Sequence, residues 1–259
     1  MFRHQFCDYG RPVFVFLHLH IYTQLRDTRR ADMANDISIT HPKVILLSSG
    51  ICATGFLAFT LSRRFARVKS PLDMTPSMFG RRIPGKVTRV GDGDNFRFYH
   101  TPGGVLLGWG WLRHVPTVPK ELKNQTLSIR IAGVDAPERL HFGHPAQPYS
   151  EEALIWLKDY LTGRRVTIIP YSIDQYHRVV ARALVWTWLG RKDVGEEMLR
   201  NGTAVVYEAK TGAEFGGMES VYRRVEARAK RQHRGLWGLG VNISPGEYKR
   251  VNYHGESPK

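Results

Sequence analysis

A strand that is forced to stop frames this chain. Ile129-Arg130-Ile131-Ala132-Gly133-Val134-Asp135-Ala136-Pro137-Glu138 opens with β-strand alternation and runs into Asp-Ala-Pro-Glu. Proline has no N–H for a sheet ladder, so the strand ends before Pro137. Alternation puts Arg130 on the face opposite Ile129 and Ile131. One strand end thus gathers a guanidinium and two carboxylates. A guanidinium suits bidentate contact with phosphate, and carboxylates suit a hard cation or general-base work. Read alone, the stretch is equally a strand running into a charged turn. Asp92-Gly93-Asp94 upstream and Asp174-Gln175-Tyr176-His177-Arg178 downstream bear on that choice.

The charge narrows the partners. The formal net charge is +15 over 259 residues. That excess favours a polyanion, either nucleic acid or an anionic membrane surface, unless it serves solubility alone. The two cysteines, Cys7 and Cys52, lie outside the region that reads as the folded domain. Neither a disulfide framework nor a cysteine zinc site can be built there.

Residues 1–43 form an N-terminal segment without clear elements. Its first 32 residues read as a gene-model extension or a cleaved targeting piece, since Met33 would serve as a fresh start. Val44 to Ser62 carries no charge. As a helix rising about 1.5 Å per residue it reaches about 28 Å, close to the roughly 30 Å of a bilayer core. The sequence predicts a single transmembrane helix over 44–62, with a signal peptide as the rival reading. Arg63, Arg64, Arg67 and Lys69 follow it, which favours a cytosolic-type face for that side. Residues 63–82 read as a basic linker, with the domain beginning near Ile83.

From there the pattern is β. Lys86 to Val90 and Asn95 to Tyr99 alternate around Gly-Asp-Gly-Asp, a hairpin signature. Residues 101–127 form a long loop rich in Gly, Trp and Pro, and long loops in compact domains are often functional. Trp109 and Trp111 within it suit either base stacking or packing. Ser150 reads as the N-cap of a helix ending at Gly163. Arg165–Tyr171 and Val179–Trp188 read as strands. Asp193 and Glu196 read as a capping box for a helix stopping at Gly202. Met218–His233 reads as a third helix with Val221, Val225 and Ala229 on one side. The fold class expected is α+β: a small five-stranded OB-like β-barrel over 83–238 with about three helices, and a disordered tail over 239–259. His141 and His144 are a surface-loop pair or part of a metal site.

The ordered set Asp-Gly-Asp, Arg-x4-Asp-x-Pro-Glu and Asp-x-Tyr-x-Arg resembles the staphylococcal nuclease, or thermonuclease, family. The likeness covers roughly 83–238. The segments 132–138, 174–180 and 207–217 are similar to its fungal membrane-anchored branch of mitochondrial endonucleases. That resemblance implies a metal-dependent endonuclease with calcium as cofactor. The implied substrate is nucleic acid, DNA and/or RNA and preferentially single-stranded. The implied location is a mitochondrial membrane, spanned once, with no obligate protein partner. It places Arg130 and Arg178 as the catalytic arginines, Glu138 as the general base, and Asp94 and Asp135 as calcium carboxylates. Ala136 falls where the family has a threonine that serves through its backbone carbonyl, which alanine also supplies. Asn95 replaces another threonine, and the 101–127 loop is an insertion. Tyr176 is placed beside a bound nucleotide.

The contrasting reading is a nuclease-like barrel retained only as a nucleic-acid or protein-binding module. Such a module has no need of Asp94, Arg130, Asp135, Glu138 and Arg178 together, and this chain holds all five.

Overall fold

The computed structural model describes residues 42–139, 145–208 and 213–239, with residues 245, 246 and 248. Most of the N-terminal segment, most of the tail, and His141 and His144 lie outside the described residues. The chain divides into two compact units, residues 1–63 and 64–259.

In the first unit a helix, α1, starts at Pro42 and its last turn ends at Arg64. Its span Pro42–Thr60 has a mean hydropathy of 1.6 and none of it is buried. The helix is therefore long and apolar enough to cross a membrane. Ser48, Ser49, Thr54, Thr60 and Ser62 turn their hydroxyls back onto carbonyls one turn earlier. Those polar groups are satisfied within the helix, as a lipid environment demands.

The second unit is built on antiparallel pairings. Strands β1 (Ile83–Asp92), β2 (Asn95–His100), β3 (Leu127–Ile131), β5 (Arg165–Ile173) and β6 (Val179–Thr187) carry most of the residue pairs. β1 pairs with β2 and β5, β2 with β3, and β5 with β6. A parallel pairing of β3 with β6 returns the circuit to its start. The sequence predicts about five strands; three short ones add to them. β7 (Gly190–Asp193) extends β6, and β4 (Val134–Asp135) pairs with β8 (Val205–Val206). Pro170 is tolerated inside β5 because a bulge falls between it and Ser172.

Val87, Phe96, Phe98, Leu127, Ile129, Ile131 and Ile168 fill the core with almost no exposure. Three helices cover it: α2 (Ser150–Leu161), α3 (Val194–Asn201) and α4 (Glu219–Arg231). Ala153, Leu157 and Leu161 of α2 are fully buried, one stripe at helical spacing. Ser150 is not its N-cap. Tyr149, at φ 71°, turns the chain into the helix, and Ser150 is a buried first-turn residue. Asp193 does cap α3, accepting from Glu196 N–H. The Glu196 carboxylate instead pairs with Arg200. In α4 the deep anchor is Tyr222 rather than Val221, and Leu236 closes the core beyond it.

The expected linker over 63–82 is corrected from Arg67 onward. Val68 is part of the core, and Met74 and Met78 pack against it. Arg67 stacks 3.5 Å over the Tyr99 ring and donates to His100 and Gln125 carbonyls. Val68 N–H donates to His100 Nδ1 at 2.9 Å. Burial, and then the Arg67 charge, hold His100 down at about 4, so at neutral pH its ring is uncharged and can accept. Gly80 N–H reaches the Pro170 carbonyl at 2.7 Å. Sequence signals missed this docking because single apolar residues, Val68, Met74 and Met78, carry it without periodicity.

Candidate active site

Arg130 is the hub. It lies in β3 opposite Asn95, and Ile131 N–H donates to the Asp94 carbonyl at 3.0 Å. The backbone thus delivers the Asp92-Gly93-Asp94 turn to the side of Arg130. One terminal nitrogen of the guanidinium lies 3.2 Å from Asp94 Oδ2, the other 3.0 Å from Asp135 Oδ1. The side chains of Arg130, Asp94 and Asp135 are only 13%, 14% and 5% exposed. Burial lowers the Arg130 proton affinity. The charges of Asp94 and Asp135, with smaller effects from Tyr207 and Asp174, outweigh it and hold the group above its usual value.

Two supports fix this trio. The Arg130 guanidinium sits 4.9 Å from the Tyr207 ring centroid. Tyr207 is placed there by the β4–β8 pairing and by its N–H on the Gly133 carbonyl. On the other side, Gly93 packs against Ala136. A Cβ added at Gly93 would stand 2.6 Å from the Ala136 Cβ, so the turn approaches β4 only because that residue is glycine.

Arg178 and Glu138 stand on separate supports. Asp174 N–H bonds to the Arg178 carbonyl, and Asp174 Oδ1 accepts from Tyr176 N–H and Arg178 N–H. Asp174 Oδ2 takes Arg178 Nε at 2.7 Å. Burial raises the Asp174 pKa; the Arg178 backbone and side-chain bonds, its charge and the Tyr176 N–H more than offset this and hold it below the usual carboxylate range. The turn is brought to Arg130 by the parallel pairing, in which Ile129 meets Val179 and Arg130 meets Val180. Glu138 follows Asp135 by three residues. Its N–H donates to Gln147 Oε1 at 3.2 Å, and Gln147 N–H donates back to the Glu138 carbonyl at 2.7 Å.

The residues singled out in the sequence are positioned as follows. Arg130, Asp94 and Asp135 form one ion-paired cluster with Ala136 beside it. Arg178 is paired with Asp174. Glu138 is held through its backbone. Tyr176 is 69% exposed, and the Arg178 guanidinium lies 5.2 Å from its ring. Trp109 packs edge-on against Tyr99 and donates to the Pro102 carbonyl, so of its two readings packing is the one seen. Three supporting residues escaped the sequence reading. Gln147 lies outside any local pattern, and Tyr207, though it opens the 207–217 segment, gives no local sign of its contact with Arg130. Asp174 was visible in the motif, but not as the clamp on Arg178.

One guanidinium between two carboxylates leaves the cluster with a net charge of −1, and close carboxylates favour a cation beside them. The donors are oxygen only, which suits a hard dication and not zinc. Among the described residues no three His, Cys, Asp or Glu side chains gather to hold a metal. A metal here would take the Asp94 and Asp135 carboxylates.

Residues 128–238 match the family model described as staphylococcal nuclease homologue. Over 226 residues the chain is 61% identical to the probable endonuclease LCL3 of Debaryomyces hansenii, covering 86% of this chain and 96% of that protein. It is 59% identical over 227 residues to probable endonuclease LCL3 of Candida tropicalis, covering 86% and 97%. The match to probable endonuclease LCL3 of Meyerozyma guilliermondii is 59% over 228 residues, covering 86% and 100%.

Proposed function

Since this chain belongs to the staphylococcal nuclease homologue family, we propose that it is a membrane-anchored, calcium-dependent endonuclease that hydrolyses phosphodiester bonds, preferentially in single-stranded nucleic acid. The five-strand circuit is read as the small OB-like barrel that carries the site. The observation that bears most on this reading is Arg130 held between Asp94 and Asp135 at a strand end.

Hydrolysis needs a deprotonated water, a clamp on the charge that builds on phosphoryl oxygens, and departure of an alkoxide. Glu138 takes the water proton as oxygen attacks phosphorus. Arg130 uses two of its five N–H donors on the aspartates and keeps three for phosphoryl oxygens. Arg178, anchored through Nε by Asp174, presents its terminal nitrogens to the same group. The P–O bond to the leaving alkoxide breaks, that oxygen takes a proton from solvent water, and Glu138 returns its proton to solvent. Calcium held by Asp94, Asp135 and the Ala136 carbonyl would supply Lewis-acid neutralisation beside the phosphoryl group. The basic surface holds the strand without sequence choice and therefore salt-sensitively.

Chelation of the purified chain is expected to abolish cleavage of a single-stranded substrate, and calcium to restore it. Magnesium should restore little, because it dehydrates reluctantly and demands an octahedral site. Full cleavage in chelator would remove the metal from the reading, and tight binding without cleavage in calcium would replace the enzyme with a binding module.

The anchor is α1, which the reading places in a mitochondrial membrane. Alkaline carbonate should leave the protein in the membrane pellet. Its release to the supernatant would reject the span and leave the nuclease reading untouched.

A further inference from the structure

Two apolar tips project from one end of the sheet, and the site uses neither. The first is the β6–β7 turn, where Trp186, Trp188 and Leu189 are 67%, 90% and 72% exposed. The second lies in the 101–127 loop, where Leu106, Trp111 and Leu112 are 93%, 65% and 69% exposed. Trp111 spends its one N–H on the Val105 carbonyl, so what it presents outward is hydrocarbon.

Arg165 joins the two tips. It opens β5, and the next residue, Val166, pairs with Val185, the neighbour of Trp186. Its guanidinium lies against Gly110 of the loop. Gly110, at φ 103°, has no Cβ to obstruct that approach. The chain also enters the unit here, since Val68 bonds to His100, the last residue of β2. The Asp174–Arg178 turn is at the other end. From Arg178 to Trp186 is eight residues of strand, roughly 26 Å at about 3.3 Å each.

We infer that this end of the domain rests on a bilayer surface carrying anionic lipid. Indole rings collect at the headgroup level, where an apolar body and a basic neighbour are both satisfied. Arg191 stacks 5.1 Å from the Trp186 ring, and Arg113 and Arg165 are exposed beside the loop. No acidic residue occurs between Asp174 and Asp193. Leu106, Leu112 and Leu189 have no use in stacking bases, and the patch lies far from the cleaving end. A second copy would set one strongly basic surface against another. The contact gives the 101–127 insertion a task and keeps the catalytic end facing water, where a nucleic-acid strand can reach it. It adds to the nuclease reading and does not depend on it.

The test is a spin label at Leu112→Cys or Leu189→Cys, with Gln175→Cys as reference, in the full chain with Cys7 and Cys52 replaced by serine. Each chain is added to vesicles of phosphatidylcholine with phosphatidylserine. Labels at 112 and 189 should be relaxed more by oxygen than by an aqueous nickel complex, with the order reversed at 175. Vesicles of phosphatidylcholine alone should weaken the oxygen preference. Equal nickel access at all three positions overturns the inference. So does immobilisation of the 112 or 189 label by single-stranded DNA without vesicles, or by raised protein concentration alone. Alkaline carbonate extraction of the same samples strips a surface contact and leaves a span, so it reports the α1 anchor separately and loss of one leaves the other readable.

Discussion

Glu138→Gln is expected to lower turnover by about 10²–10⁴-fold, the usual worth of a positioned general base. The variant keeps the shape and hydrogen-bonding capacity of the side chain and removes only its ability to take a proton. The segment should stay in place, because Glu138 is fixed through its backbone N–H and carbonyl by Gln147. Arg178→Lys keeps the charge and loses the planar fork, and loss of one preorganised transition-state donor costs about 10²–10³-fold. Arg130→Lys should cost at least as much. Arg130 is only 13% exposed and joins two carboxylates, so a lysine there reaches at most one of them well. Its activity must be read beside an unfolding curve. Nonspecific binding of a single strand should change far less in all three, since it is spread over many basic residues. A folded Glu138→Gln variant that cleaves at near the wild-type rate would overturn the mechanism.

The candidate site residues stand out in the sequence because they lie at strand ends that local patterns mark. Pro137 stops a strand, Gly93 makes a turn, and Asp174 to Arg178 fills a short connection. Each signal is read within five residues. What the sequence withheld is carried by long separations. Gln147 reaches back nine residues to Glu138, Tyr207 crosses from β8 to sit on Arg130, and Val68 docks on His100 from 32 residues away. None of these has a periodicity, so no pattern announces them. Helix ends divide the same way. Asp193 caps α3 by a local bond that composition predicts, whereas Ser150 loses the cap because Tyr149 adopts a left-handed backbone. That conformation is rare for a bulky residue.

The Asp193 side chain is expected to be the largest single polar contribution to stability. It is one carboxylate serving three partners. Arg182 Nε lies 2.9 Å from Oδ2, Tyr222 donates its hydroxyl to Oδ1 at 2.7 Å, and Glu196 N–H caps α3 on the same oxygen. Asp193 is 7% exposed and Tyr222 fully buried. Burial, and then the neighbouring Asp193 charge, raise the Tyr222 pKa above its ordinary value, so at neutral pH the phenol is an uncharged donor. Burial lowers the Arg182 proton affinity, and the Asp193 bond and charge more than restore it. Asp193→Ala strips all three partners at once. A buried ion pair broken from one side costs about 3–5 kcal/mol, because the remaining charge is left uncompensated. That is a large part of the roughly 5–15 kcal/mol that holds a domain together. Asp193→Asn keeps the cap, since asparagine caps helices as well as aspartate does. It should therefore lose less, about 1.5–3 kcal/mol for the charged hydrogen bonds. Tyr222→Phe should cost a similar amount, and Asp193→Ala combined with Tyr222→Phe less than the sum, because both changes remove the one Tyr222–Asp193 bond. Urea unfolding at unchanged slope measures each value. An Asp193→Ala midpoint equal to that of the wild type would show that the carboxylate is solvated rather than shared. Its three partners would then have to be held by the apolar packing of Tyr222 alone.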